Sequence, residues 1–408
     1  MTLKPRSKPL ARASLAALLA SLIAWTALPS DASAQEGSAR RAWATPDSDA
    51  PGYEQVKSLA AVLGSGDKRI RLESSSSHTS RARMLREERV QIAATSVAGS
   101  YFAQEGLFGY AARDWGPQAL RMVLANIHPQ LLGIVAAGDA SITSLADLKG
   151  KRITRVSGAP ELQHHVAALL AFAGLTWADV TVVPVHGYAA AIEALIANKA
   201  DAAFAASGTP PLQKLASSPR GLAWPVVPHA DQAGWAALAR TAPYFVAIDG
   251  TQGAGLSDKI PVEGVSWPYP VLVTLARRSS EEIYPTVSEL HSRFRSYRDQ
   301  VPGNAGWELK RQPRAWAIPW HEASVRLFRE QGLWGEAQQA HNERLIRRQQ
   351  VLRDAWESLH RTATAQEINE VAHDQLWLRA RAKALGQAGF DPVVTPDAPG
   401  TEPSAGKP

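Results

Sequence analysis

Hydroxyl side chains are concentrated at one point of the sequence where an anion could bind. Ser75, Ser76 and Ser77, followed by His78, lie between a predicted strand at 70–73 and a predicted helix. Free backbone N–H groups at a helix N-terminus, with hydroxyls beside them, suit a carboxylate or another anion. The same serines can instead simply cap the helix, and the residue types allow both roles.

Other candidates lie where predicted strands end, because the carboxyl ends of strands face the binding crevice in open α/β sheets. Thr95 and Ser96 end one strand, and Tyr101 follows one turn into the next helix. Ser207 ends a later strand, and Trp267 lies on a segment predicted to cross between domains. Capping by Ser96, an ordinary turn at Ser207 and packing of the two aromatic rings are the alternatives.

Charged side chains follow another predicted strand, at 152–156. Arg155 and Ser157 lie at its end, and Glu161 opens the next helix. An arginine can hold a carboxylate with a bidentate fork, although a surface ion pair is equally open. Glu161 would repel an acidic ligand, pair with Arg155 or receive a ligand ammonium group. These residues, with the hydroxyls above, predict a small organic anion as the ligand.

The sequence carries no pattern of an enzyme or a metal site. It has no cysteine, which excludes thiol chemistry. His164 and His165 are adjacent, so on a helix their side chains diverge by about 100° and make a poor metal pair. The motifs of zinc proteases, serine hydrolases and phosphate-binding loops do not occur. We therefore predict a protein that is not an enzyme and uses no cofactor.

The two ends of the chain differ in composition from its middle. Residues 1–34 combine a basic start, a short apolar run and the small-residue site Ala32-Ser33-Ala34, which together predict a secretory signal peptide cleaved after Ala34. The absence of cysteine predicts that the exported chain is no lipoprotein, hence a soluble periplasmic protein. Residues 391–408 are rich in proline, alanine and glycine and predict a disordered tail.

The formal net charge of +6 overstates the charge of the exported chain. Residues 1–34 carry four basic residues and Asp31, so the remainder carries +3. Nucleic-acid binding needs a clustered basic face, and the basic residues at 344–353 read as a solvated helix face. The sequence predicts no nucleic-acid partner.

The middle of the chain alternates strands with helices, as a parallel α/β sheet does. Short apolar runs at 131–136, 152–156, 180–184 and 201–206 are separated by helical patterns. Beyond Glu282 the pattern becomes helical, with long periodic stretches at 322–361 and 366–385. The pattern predicts an α/β protein with a helical C-terminal extension.

Several phrases of the sequence match one family in order. SLADLKGKRI at 144–153, AIEALIANKADAAF at 191–204, APYF at 242–245 and PWHEA at 319–323 followed by GLW at 332–334 resemble segments of the TAXI family, the solute receptors of tripartite ATP-independent periplasmic (TRAP) transporters. Two loops depart from that family: 45–53 lacks its glycine-rich motif, and 159–162 replaces its G-S-G-T. Glu161 stands at a position where the family has glycine.

The resemblance implies a two-lobe periplasmic binding protein fold, of type II-like topology, with the ligand in the cleft. We expect lobe I at 35–132 plus 268–334, an inserted lobe II at 133–267, and helices at 335–390 packed outside a lobe. The implied partners are a small organic anion, a carboxylate or an acidic amino acid, and the membrane permease subunits of a TRAP transporter. The alternative is an exported sensory or assembly module whose modified or vestigial cleft serves a membrane protein partner.

Overall fold

The computed structural model describes residues 42–48, 52–64, 69–75, 77–313, 316–365 and 369–392. The predicted signal peptide at 1–34, and all but the first two residues of the predicted tail, lie outside this part. In the described ranges no helix is both long and apolar enough to cross a membrane.

The first sheet has five strands in the spatial order β2-β1-β3-β12-β4. The first three strands are mutually parallel, and β12 is antiparallel to both β3 and β4, with Leu272 opposite Ala94. Every residue of β3 and β12 is buried, as expected for central strands covered on both faces. The strands are β1 (Ala42–Thr45), β2 (Arg71–Ser74), β3 (Ile92–Thr95), β4 (Leu120–Ala125) and β12 (Val271–Leu275).

The second sheet also has five strands, in the order β7-β6-β8-β5-β9. Its parallel part is β7-β6-β8, and β5 is antiparallel to β8 and β9. A separate hairpin of β10 and β11 accompanies it. The strands are β5 (Leu132–Ala137), β6 (Arg152–Val156), β7 (Thr181–Val185), β8 (Ala202–Ala206), β9 (Leu222–Ala223), β10 (Val246–Gly250) and β11 (Val262–Ser266).

The chain passes between the two sheets twice, after β4 and again before β12. The two crossing segments lie side by side: Tyr269 N donates to Asn126 O at 2.8 Å, and Asn126 N donates to Pro270 O at 3.0 Å. Two sheets connected along the chain by such a paired crossing form two lobes with a cleft between them.

Helices cover the sheets and form the C-terminal part. The predicted helix at 81–88 starts earlier, at His78, because the Ser77 side chain accepts a hydrogen bond from Ser80 N and caps it. The helices are α1 (Tyr53–Leu63), α2 (His78–Arg86), α3 (Val97–Glu105), α4 (Pro160–Phe172), α5 (Tyr188–Ile196), α6 (Pro211–Ala216), α7 (Gln232–Thr241), α8 (Ser280–Ser292), α9 (Phe294–Tyr297), α10 (Glu322–Glu330), α11 (Glu336–Ala365) and α12 (Glu370–Gln387).

The last two helices, α11 and α12, pack against each other and against the C-terminal end of α3. Glu105 is fully buried there and accepts hydrogen bonds from Arg348 of α11 at 2.8 Å and from Arg381 of α12. Gly116 lies against Trp356 of α11, where a Cβ would come within 2.5 Å of the indole. The extension is thus attached to the lobe of the first sheet.

Candidate functional site

A cavity of about 710 Å³ lies between the two lobes. Its walls come from the starts of α2 and α3 on the first lobe, from α4 and the end of β8 on the second, and from both crossing segments. Within the described part of the chain, no residue after Tyr269 lines it, so α11 and α12 stay outside the cleft.

Two helix N-termini of the first lobe open on the cavity. Ser77 and Ser96, the capping residues of α2 and α3, both line it, and Ser96 Oγ accepts a hydrogen bond from Ala98 N at 3.2 Å. The two serines therefore cap the helices and also line the cavity. Glycine at position 99 leaves room for the His78 ring, because a Cβ there would lie 2.9 Å from it.

His78 lines the cavity as a neutral hydrogen-bond donor. Its Nδ1 lies 2.8 Å from a guanidinium nitrogen of Arg81 and 3.0 Å from Thr95 Oγ1. Arginine can only donate, so Nδ1 accepts, and Nε2 carries the ring proton in the neutral form. Desolvation by the surrounding protein, and next the charge of Arg81, lower the pKa of His78 to about 4. Thr95 thus does not line the cavity itself, but its hydroxyl helps to hold the His78 ring that does.

The second lobe contributes a carboxylate and an imidazole from one helix. Glu161, in the first turn of α4, is exposed to the cavity, and His165 lies one turn further along the same helix. Leu162 and Trp267 complete this wall with apolar surface. In the parts of the chain that the structure covers, Glu161 is the one formally charged side chain in the lining.

His165 is buried among aromatic rings and lacks a hydrogen-bond partner. It is only 4% exposed, and its ring lies 4.6 Å from that of Trp267 and 6.2 Å from that of Phe102. Neither ring nitrogen has a partner among the described residues. Burial, with a smaller contribution from His164, holds the pKa of His165 well below its usual value, so the ring is neutral.

Five of the predicted residues therefore line the cavity: Ser77, His78, Ser96, Glu161 and Trp267. Ser76 lies outside the described residues. Ser75 is not in the lining; its carbonyl accepts a hydrogen bond from Arg81 and so helps to hold the arginine behind His78.

The remaining predictions do not reach the cavity. Tyr101 is buried in the core beside Tyr244, because the face of α3 that carries it turns inward. Arg155, expected to hold a carboxylate, instead donates to Gln163 Oε1 at 3.0 Å on the far side of α4. Ser157 is exposed and outside the lining. Ser207 Oγ accepts from Leu131 N and donates to Gln252 O, which fixes the crossing segment.

Sequence reasoning missed most of the apolar wall and His165. Phe102, Phe108 and Tyr110 line the cavity from the first lobe, and His128 and Gln130 line it from a crossing segment. The signal for His165 was its spacing of four from Glu161, which places both on one face of α4. In the described ranges no cluster of histidine and acidic residues could hold a metal ion.

The structure has two mixed sheets, a pair of crossing segments and a cavity between the lobes. These features define the two-lobe fold of periplasmic binding proteins, which the family resemblance implied. The chain belongs to the NMT1-like family, whose sequence model matches residues 54–332. This match shows the NMT1-like family only. Membership of the TAXI family stays a prediction. A search of curated proteins gave no match.

Solved structures similar to this chain include the following three. The periplasmic aliphatic sulphonate binding protein SsuA from Escherichia coli is 16% identical, with 72% of this chain and 93% of that chain covered and a TM-score of 0.38. XAC2383 from Xanthomonas citri, bound to chloride ion, is 12% identical over 75% and 98%, with a TM-score of 0.37. The L-cystine solute receptor of Neisseria gonorrhoeae is 14% identical over 67% and 98%, with a TM-score of 0.35.

Proposed function

We propose that this protein is an exported solute-binding subunit of a TRAP transporter that captures a small organic anion in the interlobe cavity. It catalyses no reaction; it delivers the solute to a membrane permease. The observation that carries the proposal is the cavity of about 710 Å³, whose lining combines the N-termini of α2 and α3 with aromatic rings from both lobes.

The carboxylate of the solute is proposed to bind at the first lobe. The starts of α2 and α3 present backbone N–H groups and the positive ends of two helix dipoles, which favour an anion. The hydroxyls of Ser77 and Ser96 and the Nε2–H of His78 add donors there. Arg81 fixes the ring so that this nitrogen donates. In this proposal the carboxylate is bound by these donors and not by Arg155, which the sequence had suggested.

The lobes are proposed to close on the solute. We assign lobe I to 35–132 plus 268–334 and lobe II to 133–267, with the crossing segments as the hinge. A ligand shifts an open–closed equilibrium only by its differential affinity for the two states. A solute that touches α2 and α3 on one side and α4 on the other gains its second set of contacts only in the closed form.

The partner and the location rest on the sequence. The signal peptide at 1–34 is proposed to direct the chain to the periplasm, with cleavage after Ala34. The resemblance to TAXI receptors supports a TRAP permease, driven by an ion gradient, as the membrane partner.

Transport into membrane vesicles of the source cell tests this function. The protein is purified from cells grown on an isotopically labelled carbon source and is then denatured. The labelled small molecules that it releases are the probe. We expect uptake that requires added protein, survives ATP depletion and collapses with an ionophore. ATP-dependent uptake would contradict the TRAP assignment, and uptake indifferent to the added protein would contradict the role itself.

A further inference from the structure

Glu161 gives the cavity a negative pole opposite the donors of the first lobe. It is exposed to the cavity, and among the residues that the structure covers its carboxylate has no hydrogen-bond or ion-pair partner. No lysine or arginine of the described ranges lines the cavity to balance it. An anion that filled the cavity would therefore add a second negative charge to that of Glu161, and no cationic side chain of the described lining would balance the pair.

The helix itself gives Glu161 a partial reason to be there. An acidic residue in the first turn of α4 interacts favourably with the helix dipole. That effect acts equally on a glutamate pointing to bulk solvent. It does not explain a carboxylate in the lining of an interlobe cavity, where closure of the lobes would bury an uncompensated charge at a cost in free energy.

The space between the two poles is apolar. Phe102, Phe108 and Trp267 line it, and His165 presents its neutral ring there without a protein partner. Both nitrogens of that ring are buried, so His165 offers the cavity ring surface and not a hydrogen-bonding atom. The ligand body must then be bulky and mostly apolar, with polar groups at its ends.

We propose that the solute is a zwitterion: a carboxylate bound at the starts of α2 and α3, an apolar body along the aromatic wall, and a protonated amine bound by Glu161. This inference rests on the proposed function: it keeps the carboxylate bound at the first lobe and narrows the solute from organic anions in general to carboxylates that also carry an amine. The amine neutralises Glu161, so closure encloses balanced charges, and each lobe holds one end of the same molecule. Glu161 thereby selects amino-acid-like solutes over simple organic acids.

Matched probes separate the three parts of the solute. Calorimetry compares phenylalanine, which carries both charges, with 3-phenylpropionate and phenethylamine, which carry one each. Leucine, 4-methylpentanoate and 3-methylbutylamine repeat the comparison with an aliphatic body. We expect a zwitterion to bind about tenfold to a hundredfold more tightly than either partner of its set, the range of one charge-assisted hydrogen bond.

The variant Glu161→Gln should remove that advantage and bring the amino acid to the affinity of the matching carboxylate. Glu193→Gln, the same change at an exposed position of α5, should leave all affinities unchanged. Carboxylates that bind the wild type as tightly as the zwitterions would overturn this inference and leave the proposed function standing. If the amines bind most tightly, or no probe binds, both are overturned.

Discussion

The two ends of α3 meet two different carboxylates, one open to the cavity and one paired in the interior. Its N-terminus faces the interlobe cavity, where Glu161 stands opposite without a protein partner in the described part of the chain. Its C-terminus ends in Glu105, whose carboxylate is bound by Arg348 and Arg381. Groups satisfied within the chain stabilise the fold, and groups left unsatisfied at a cavity are available to a ligand.

The Glu105 cluster holds three charges in the interior. The exposed fractions are 0% for Glu105, 7% for Arg348 and 2% for Arg381. Burial alone would raise the pKa of Glu105, but the two guanidinium groups outweigh it and lower the value to about 2. The C-terminal helices are thus held to lobe I by a charge that becomes costly once either side is removed.

The largest expected effect follows from breaking that cluster. Glu105→Gln leaves two buried arginines without a counter-charge and should lower the free energy of unfolding by about 3–5 kcal/mol. Urea unfolding measures it. Glu308→Gln, which breaks the exposed pair with Arg311, is the control and should cost about 0–1 kcal/mol. Equal effects of the two changes would refute the role given to the cluster.

Acid should weaken the same cluster. The pKa of Glu105 is lowered from 4.5 to about 2 by folding, so its contribution is complete above pH 4.5 and is lost as the pH falls towards 2. The difference in unfolding free energy between wild type and Glu105→Gln should shrink by roughly 3 kcal/mol across that window. A difference that stays constant down to pH 2 would show that Glu105 is not ionised in the folded state.

The opposite behaviour is expected at the cavity. His165→Phe removes two unpartnered nitrogens from an aromatic environment and should leave the stability of the ligand-free protein unchanged or raise it by about 1 kcal/mol. His164→Phe is the matched change at the neighbouring position. It removes the bond from His164 Nε2 to Thr241 O at 2.9 Å and should cost about 1–2 kcal/mol. Thermal unfolding measures the stability of both variants. A larger loss of stability for His165→Phe than for His164→Phe would contradict this prediction.

The sequence predicted the fold well because its signals are local. The alternation of strands and helices, the capped helix starts and the breaks at glycine each depend on a few neighbouring residues. Hence β6 has the predicted bounds, 152–156. The strand β4 gave no clear local pattern and was missed, because its pairing with β12 is formed across 150 residues of chain.

The site was predicted only in part because direction and distance are not local. Strand ends and the helices that follow them locate the cleft, and Ser77, Ser96 and Glu161 line the cavity there. Arg155 also lies near a strand end, yet its side chain leaves the cleft to meet Gln163. The aromatic wall gathers residues from both lobes, and only the folded chain brings Phe102 and Trp267 together.

The smallest effect is expected for Arg155→Ala. From the sequence alone this change should weaken anion binding by about 1.5–3 kcal/mol, the worth of a charge-assisted bond. Its position outside the cavity lining predicts a change in affinity below about twofold. Calorimetry with 3-phenylpropionate and phenylalanine decides between the two, since a loss of tenfold or more would return Arg155 to the binding site.

Native mass spectrometry tests most directly whether the interlobe cavity holds the solute. Gly109 lines the cavity, and a Cβ there would meet Thr79 Oγ1 at the ordinary contact distance of 3.8 Å, so Gly109→Trp should place an indole in the cavity and obstruct a solute. Both proteins are purified from the periplasm under the same conditions and their masses compared before and after denaturation. We predict a small molecule retained by the wild type and missing from Gly109→Trp. The same bound mass in both proteins, or none in the wild type, would contradict the account.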